Sequence, residues 1–194
     1  MLSSASSCSQ VRTGFDNFME LLLKNDRLVI GDKIFRCAVG RNGISMDKKE
    51  ADGCTPVGTF YFREVFYRAD RIAEPPCQLP IRALTQSDGW CDDSADPNYN
   101  CFVKLPYAAS HEELWLQDHR YDLIVVIGYN DNPIRPGDGS AIFMHVVLDD
   151  YVPTSGCIAL AMDDLLAVVK ELTPQTTIRI EEVVNDKVKQ EATR

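Results

Sequence analysis

The chain has 194 residues and a net charge of −9, and 45% of its residues are hydrophobic and 25% are charged. This composition is typical of one globular domain and excludes a disordered or collagen-like chain. The acidic balance, with no basic stripe, argues against a nucleic-acid partner, because phosphate contacts require clustered lysine and arginine. No apolar run approaches the roughly 20 residues of a membrane-spanning helix.

The first ten residues and the cysteines bear on the compartment. Residues 1–10 lack the basic start and the apolar run of about 7 or more residues that a secretory signal needs, so we expect a cytoplasmic protein. The seven cysteines, an odd number, fit a reducing compartment better than a disulfide framework. If a signal peptide has been removed, the protein is periplasmic instead, and Cys54, Cys77, Cys91 and Cys101 could form disulfides.

The chain divides into a serine-rich tail over 1–13, expected to be mobile, a single domain over 14–183 and a charged tail over 184–194. In the first half of the domain, short apolar runs bounded by turn residues predict strands at 17–23, 27–30, 33–39 and 58–67. Turn residues at 25–26 and 31–32 suit tight hairpins, so the first three strands should form a meander. The leucines at 21–23 could instead belong to a short helix.

The segment 69–116 is rich in Pro, Asp, Asn and Cys and has little periodicity. It predicts a long insertion of loops and short helices, and irregular segments of this length usually carry function. We therefore expect it to line a site, with Trp90, Tyr99 and Asn100 as candidate substrate contacts. The alternative is a loop anchored by one buried tryptophan.

A zinc site in this insertion is not predicted. Cys91, Cys101, His111 and His119 lack the close Cys-x-x-Cys spacing of structural zinc sites. The sequence predicts no metal and no cofactor.

The second half of the domain predicts a strand buried on both faces at 123–127, a strand at 141–148, a helix at 164–172 and a last strand at 177–182. The helix should stop at Thr173 and Pro174. The domain is thus mainly β with one clear helix in its C-terminal half.

His145 and Cys157 lie twelve positions apart, and together they suggest a catalytic pair. A free cysteine has a pKa near ~8.5, and an imidazole within hydrogen-bond reach can take its proton, so Cys157 is the candidate nucleophile and His145 the candidate base. Gly156 permits a tight turn whose backbone N–H groups could bind an oxyanion. The alternative is that Cys157 is a small buried apolar residue and that His145 fills a strand.

Three motifs carry a resemblance to a known family. Residues 140–145 (SAIFMH) and 154–158 (TSGCI), preceded by 55–60 (TPVGTF), resemble the YkuD family, the L,D-transpeptidase catalytic domain. Further stretches resemble a branch of small single-domain members, namely residues 88–93, 96–100 and 127–130. The sequence departs from the family pattern at Ser155, where a second histidine is common, at Ala159, where an arginine often follows, and in a shorter gap between His145 and Cys157.

The resemblance implies a β-sandwich-like fold and a role for named residues. Cys157 attacks the stem peptide, His145 moves the proton, and a backbone carbonyl next to His145, that of Val146, orients the ring. Backbone N–H groups at Ser155, Gly156 and Cys157 hold the oxyanion. Thr154 and Asn130 join the candidate substrate contacts.

The resemblance also implies the substrate, the peptidoglycan tetrapeptide stem, from which the cysteine releases terminal D-alanine. We expect a cytoplasmic L,D-carboxypeptidase of cell-wall recycling that acts on muropeptides. The alternatives are a transpeptidase that forms 3-3 crosslinks, a non-catalytic peptidoglycan-binding module, and a cysteine hydrolase of a different amide. The oligomeric state is not predicted.

Overall fold

The structure is a computed structural model that describes residues 19–182. The predicted tails at 1–13 and 184–194 lie outside these residues. The described chain forms fourteen strands, one α-helix and one 3₁₀ turn at Asp149–Tyr151. The elements are β1 Glu20–Lys24, β2 Arg27–Ile30, β3 Lys33–Ala38, β4 Ile44–Ser45, β5 Thr55–Pro56, β6 Gly58–Tyr67, β7 Ile81–Ala83, β8 Asp88–Cys91, β9 Phe102–Lys104, β10 His111–Glu113, β11 Leu123–Ile127, β12 Phe143–Val146, β13 Ile158–Leu160, α1 Met162–Glu171 and β14 Thr177–Glu181.

The predicted meander is present, with β1, β2 and β3 joined in antiparallel pairs. Asn25 and Gly31 both adopt a positive φ of 55° in the two tight turns, a conformation that Asn and Gly tolerate best. The leucines at 21–23 are therefore in a strand and not in a helix, because Leu21 and Leu23 alternate with a partly exposed residue in the period of two.

The main sheet has the order β11-β12-β13-β3-β2-β1-β14-β6-β7. Because β11 also pairs with β6, the order returns on itself in a barrel-like arrangement. Within residues 19–182 the fold is mainly β with a single α-helix, which confirms the predicted fold class.

The helix α1 packs against the sheet through one apolar stripe. Leu165, Val168 and Val169 are fully buried and recur at the spacing of one helix face. The helix begins two residues earlier than predicted and ends before Leu172, whose extended backbone precedes the Thr173-Pro174 stop.

The strand β12 is shorter than the predicted 141–148. Ala141 has a φ of +51°, so the extended conformation starts only after it, and Leu148 is 38% exposed beyond the strand. Met144 and Val146 contribute to the large hydrophobic cluster that includes the helix residues. Phe143 belongs to a second cluster, which also holds Cys157.

The prediction of short helices in the insertion 69–116 is wrong. This segment contains β7 and a separate antiparallel sheet with the order β10-β8-β9. These strands have three or four residues, so no alternation of hydrophobicity could be recognised in them. Tertiary contacts hold the small sheet in place, notably the edge-on packing of Trp90 against Phe143 with ring centroids 5.1 Å apart.

Candidate active site

Cys157 and His145 line the same cleft, which has a volume of about 520 Å³. The strands β12 and β13 are parallel, with His145 opposite Ala159. Because side chains alternate between the two faces of a strand, Cys157, two residues before Ala159, faces the same side as His145. The local fold therefore brings the two candidate catalytic side chains together.

The thiol of Cys157 is held by backbone groups. Its Sγ donates to the carbonyl oxygen of Ala141 at 3.2 Å and accepts from the backbone N–H of Phe143 at 3.4 Å. In the part of the chain that the structure describes, this thiol hydrogen bond goes to Ala141 and not to His145. Catalytic hydrogen bonds are often long or poorly aligned without substrate and tighten when it binds.

The imidazole of His145 is oriented by the backbone. Its Nδ1 lies 2.8 Å from the carbonyl oxygen of Val146, the contact that the family resemblance implies. Because a carbonyl oxygen only accepts, Nδ1 carries the proton and Nε2 keeps its lone pair. The ring also packs edge-on against Tyr121 at 5.4 Å between centroids.

Burial keeps both groups neutral. His145 is 5% exposed, and burial lowers its pKa to about 4. Burial, followed by the negative charge of Glu112, raises the pKa of the Cys157 thiol to about 12. At neutral pH the pair is thus a thiol and a neutral imidazole.

The dipole of α1 contributes little to stabilising a thiolate at Cys157. The strand β13 separates Cys157 from the start of the helix at Met162, and helix-dipole effects fall off within about one turn.

The loop that carries Cys157 is fixed by Thr154. Its Oγ1 donates to the carbonyl oxygen of Cys157 at 2.6 Å and accepts from the backbone N–H of Gly156 at 3.1 Å. That N–H is therefore engaged, which leaves the amides of Ser155 and Cys157 as the candidate oxyanion donors.

Gly156 is required by the close approach of a neighbouring backbone. Its φ is +143°, and a Cβ there would lie 2.8 Å from the carbonyl oxygen of Cys54. Only glycine adopts this conformation without strain. Any side chain at position 156 would displace the loop that carries Cys157.

Thr55 connects this loop to the β3–β4 connection. It is fully buried, and its Oγ1 donates to the carbonyl oxygen of Gly156 at 2.8 Å and accepts from the backbone N–H of Gly40 at 2.9 Å. Gly40 also forms an isolated bridge with Thr154. The first position of the TPVGTF motif therefore positions the backbone next to the candidate nucleophile.

Of the five candidate substrate contacts, only Thr154 lines the cleft. Trp90, Tyr99 and Asn100 are buried behind its wall, with Trp90 Nε1 donating to Asn100 Oδ1 at 3.0 Å. Asn130 supports a nearby loop by donating from Nδ2 to the carbonyl oxygen of Gly139 at 2.9 Å. These four residues shape the wall without contributing to its surface.

Sequence reasoning missed the charged side chains of the cleft. They come from the β3–β5 region, the insertion and the β10–β11 connection, segments far apart in sequence, and they are Arg41, Lys48, Glu50, Asp92, Glu112 and Arg120. Asp92 lies in one of the stretches that carry the resemblance, which was the available signal for it. The other five had none, because only the folded topology brings them to the cleft.

Asp92 is unusual among the residues the structure describes. Its Oδ1 is the one buried side-chain nitrogen or oxygen there without a hydrogen-bond partner. Buried polar atoms normally have partners. The neighbouring Glu112 has a raised pKa, caused first by burial and in part by the charge of Asp92. Asp92 and Glu112 thus bring two carboxyl groups into the cleft, and the raised pKa of Glu112 favours its protonated form.

Between residues 19 and 182 the structure contains neither a metal-binding cluster nor a disulfide bond. No group of three or more His, Cys, Asp or Glu side chains there could hold a metal ion. The six cysteines in this range are free thiols, so the alternative disulfide pairing among Cys54, Cys77, Cys91 and Cys101 is not formed. In the same range no helix is long and apolar enough to cross a membrane.

Comparison with known proteins gives one match. The family model of YkuD, the L,D-transpeptidase catalytic domain, matches residues 16–180. No curated protein and no solved structure shows a significant match to the chain. The family match spans most of the chain and includes the strands and loops that form the cleft, so the chain belongs to the YkuD family of L,D-transpeptidase catalytic domains.

Proposed function

We propose that this chain is an L,D-carboxypeptidase that releases terminal D-alanine from soluble peptidoglycan tetrapeptides in the cytoplasm. The family acts on peptidoglycan peptides through a cysteine. The observation that carries the proposal is the placement of Cys157 and His145 in one cleft, with the imidazole held by the Val146 carbonyl at 2.8 Å. The free thiols support a reducing compartment, where crosslinked wall is absent and water is the available acceptor.

In the first half of the reaction the thiol proton passes to Nε2 of His145 as Sγ attacks the carbonyl carbon between the diamino acid and D-alanine. The amides of Ser155 and Cys157 stabilise the oxyanion. Collapse of the tetrahedral intermediate breaks the C–N bond, and the imidazolium gives its proton to the leaving amine of D-alanine. The enzyme is left as a thioester on Cys157.

In the second half, His145 takes a proton from water, and the hydroxide oxygen attacks the thioester carbonyl. The C–S bond breaks and the thiolate recovers the proton from the imidazolium. The product is the tripeptide with a free carboxylate. If an amine of a second stem replaces water, the same steps give a 3-3 crosslink, so the acceptor alone distinguishes the two activities.

The neutral state of the pair determines when the proton moves. A buried thiol with a pKa of about 12 and an imidazole with a pKa of about 4 do not form an ion pair at rest. Proton transfer must therefore accompany the attack on the substrate carbonyl. This also protects the thiol from oxidation, because the thiolate is the reactive form.

The test is incubation of the protein with a purified tetrapeptide, with products followed by mass spectrometry. We expect D-alanine and tripeptide in equal amounts, and neither with Cys157→Ala. A crosslinked dimer in place of the tripeptide would show a transpeptidase and overturn the proposal.

One observation favours a second candidate, a non-catalytic peptidoglycan-binding module. Cys157 is 8% exposed with a raised pKa, as an inert structural cysteine would be. Treatment with a carbapenem separates the two candidates, because a catalytic Cys157 is acylated selectively. A binding module would show no selective acylation at this position and would retain affinity for the tetrapeptide.

A further inference from the structure

The cations of the cleft differ in whether a carboxylate already neutralises them. Lys48 is 6% exposed, and its Nζ lies 2.7 Å from Oδ1 of Asp52. Arg120 pairs with Asp118 through Nη2 and Oδ2 at 2.9 Å. Each of these two cations therefore already has a carboxylate that offsets its charge.

Arg41 is the third cation, and its charge is not neutralised in this way. Its Nη1 donates to the neutral Oγ of Ser155 at 3.0 Å, and among residues 19–182 it has no carboxylate within ion-pair distance. A guanidinium has five N–H donors, so four remain for a ligand. Its planar array matches both oxygens of a carboxylate.

The position of Arg41 is fixed relative to the nucleophile. Its backbone N–H donates to the carbonyl oxygen of Thr154 at 2.8 Å, and the stem of its side chain packs over Gly53, where a Cβ would lie 2.9 Å from Nε. Ser155, which Arg41 contacts, is two residues from Cys157, a span of at most about 7 Å. The guanidinium therefore lies in the cleft beside Ser155, on the loop that leads to Cys157.

Carboxyl groups also line the cleft. They belong to Glu50, Asp92 and Glu112, and Asp92 has the buried unpaired Oδ1. Like charges brought into a partly buried site repel strongly. Among the three cations that line the described cleft, Arg41 is the one whose charge no carboxylate offsets, which makes it the preferred position for a ligand carboxylate.

We infer that Arg41 binds the C-terminal carboxylate of the substrate and so makes the enzyme an exopeptidase. This inference rests on the proposed function and names the residue that selects the end of the stem. In a tetrapeptide the terminal carboxylate is one residue beyond the scissile carbonyl, roughly 4 Å along the chain. Anchoring it at Arg41 places that carbonyl at Cys157 and leaves the rest of the stem to extend away.

The test compares two substrates, the tetrapeptide with a free terminal carboxylate and its C-terminal carboxamide. Release of D-alanine and of D-alaninamide is measured by mass spectrometry for the wild type, Arg41→Gln, Arg41→Lys and a control, Arg63→Gln. Arg63 is matched to Arg41 in chemistry but pairs with Asp131 at 2.5 Å and does not line the cleft.

We expect the wild type to prefer the acid by about 10- to 100-fold in kcat/KM, mostly through KM, because a hydrogen bond to a charged group is worth that much. Arg41→Gln should lose this preference by losing activity on the acid alone. Arg41→Lys should retain part of it, and Arg63→Gln should retain all of it. Equal wild-type rates on both peptides, or an unchanged preference in Arg41→Gln, would overturn the inference.

Failure of the proposed function gives different results. A transpeptidase still releases D-alanine but yields a crosslinked dimer, and the preference for acid over amide then tests Arg41 as before. A non-catalytic protein acts on neither peptide. In that case binding of both peptides is measured by calorimetry to Cys157→Ala with and without Arg41→Gln. Tighter binding of the acid that disappears with Arg41→Gln supports the carboxylate site. Equal binding of acid and amide overturns it.

Discussion

The two faces of β12 carry different chemistry on the same four residues. Met144 and Val146 face the large apolar cluster, which also includes the buried residues of α1. Phe143 and His145 point the other way. Phe143 packs in the smaller cluster with Tyr121 and Cys157, and His145 lines the cleft beside Tyr121. The apolar face therefore anchors the strand in the core, and this anchoring holds the thiol and the imidazole in fixed positions on the opposite face.

The largest effect is expected on the cleft face. His145→Gln removes the base, so kcat for D-alanine release should fall by about 10²- to 10⁴-fold. The free energy of unfolding at pH 7 should change less than in Met144→Ala, because the wild-type imidazole is already neutral at this pH. Steady-state kinetics and urea denaturation measure the two quantities. A wild-type kcat in this variant would remove His145 from the mechanism.

On the opposite face, Met144→Ala should cost about 2 to 5 kcal/mol of unfolding free energy, because Met144 is fully buried. The kcat of the folded protein should stay close to that of the wild type. Urea denaturation with activity measured well below the transition separates the two effects. A fall in kcat without loss of stability would show that the faces are not divided as described.

The buried imidazole of His145 should make the free energy of unfolding depend on pH. Burial lowers the pKa of His145 from 6.5 to about 4 in the folded protein. Between these pH values the unfolded chain binds the proton and the folded chain does not, so stability falls as pH falls. The contribution is complete above pH 6.5, and roughly 3 kcal/mol is lost by pH 4.

The free energy of unfolding is measured from pH 7 to pH 4 in the wild type and in His145→Gln. Because the carboxylates titrate in both proteins, the difference between the two gives the contribution of His145. The wild type should lose more stability than the variant across the window. Identical pH dependence would mean that the imidazole is not buried in its neutral form.

The smallest effect is expected from Thr55→Val, which keeps the shape and removes the hydroxyl between Gly156 and Gly40. It should cost about 1 to 3 kcal/mol, because two buried backbone groups lose their partner. It should also lower kcat, because the loop that carries Cys157 loosens. Thr59→Val, at an exposed position of β6, is the control and should change stability by less than about 0.5 kcal/mol. Equal stability and kcat in both variants would show that Thr55 does not position the loop.

The elements that form the apolar core could be predicted from the sequence. The run at β11 is buried at all five positions, and β6 has the predicted bounds, since apolar and β-branched residues define such strands. Helix α1 followed from its stripe of leucine and valine. The small sheet β8–β10 could not be predicted, because its strands are too short for a period and are held by tertiary contacts such as Trp90 on Phe143.

The residues that line the cleft could be predicted from the sequence only in part. His145 and Cys157 stand in recognisable motifs, and the register of β12 with β13 places them together. Arg41, Asp92 and Glu112 meet only because the barrel-like sheet and the insertion fold against each other. Their pairing, burial and charge are properties of the three-dimensional arrangement, and no local pattern encodes them.

The most direct test of the account is the covalent intermediate on Cys157. The protein is mixed with tetrapeptide, quenched in acid during turnover and analysed by intact-protein and peptide mass spectrometry. We predict a mass increase equal to the tetrapeptide less D-alanine, located on Cys157 and absent from Cys157→Ala. Continued release of D-alanine by Cys157→Ala, or an adduct on a different residue, would contradict the account.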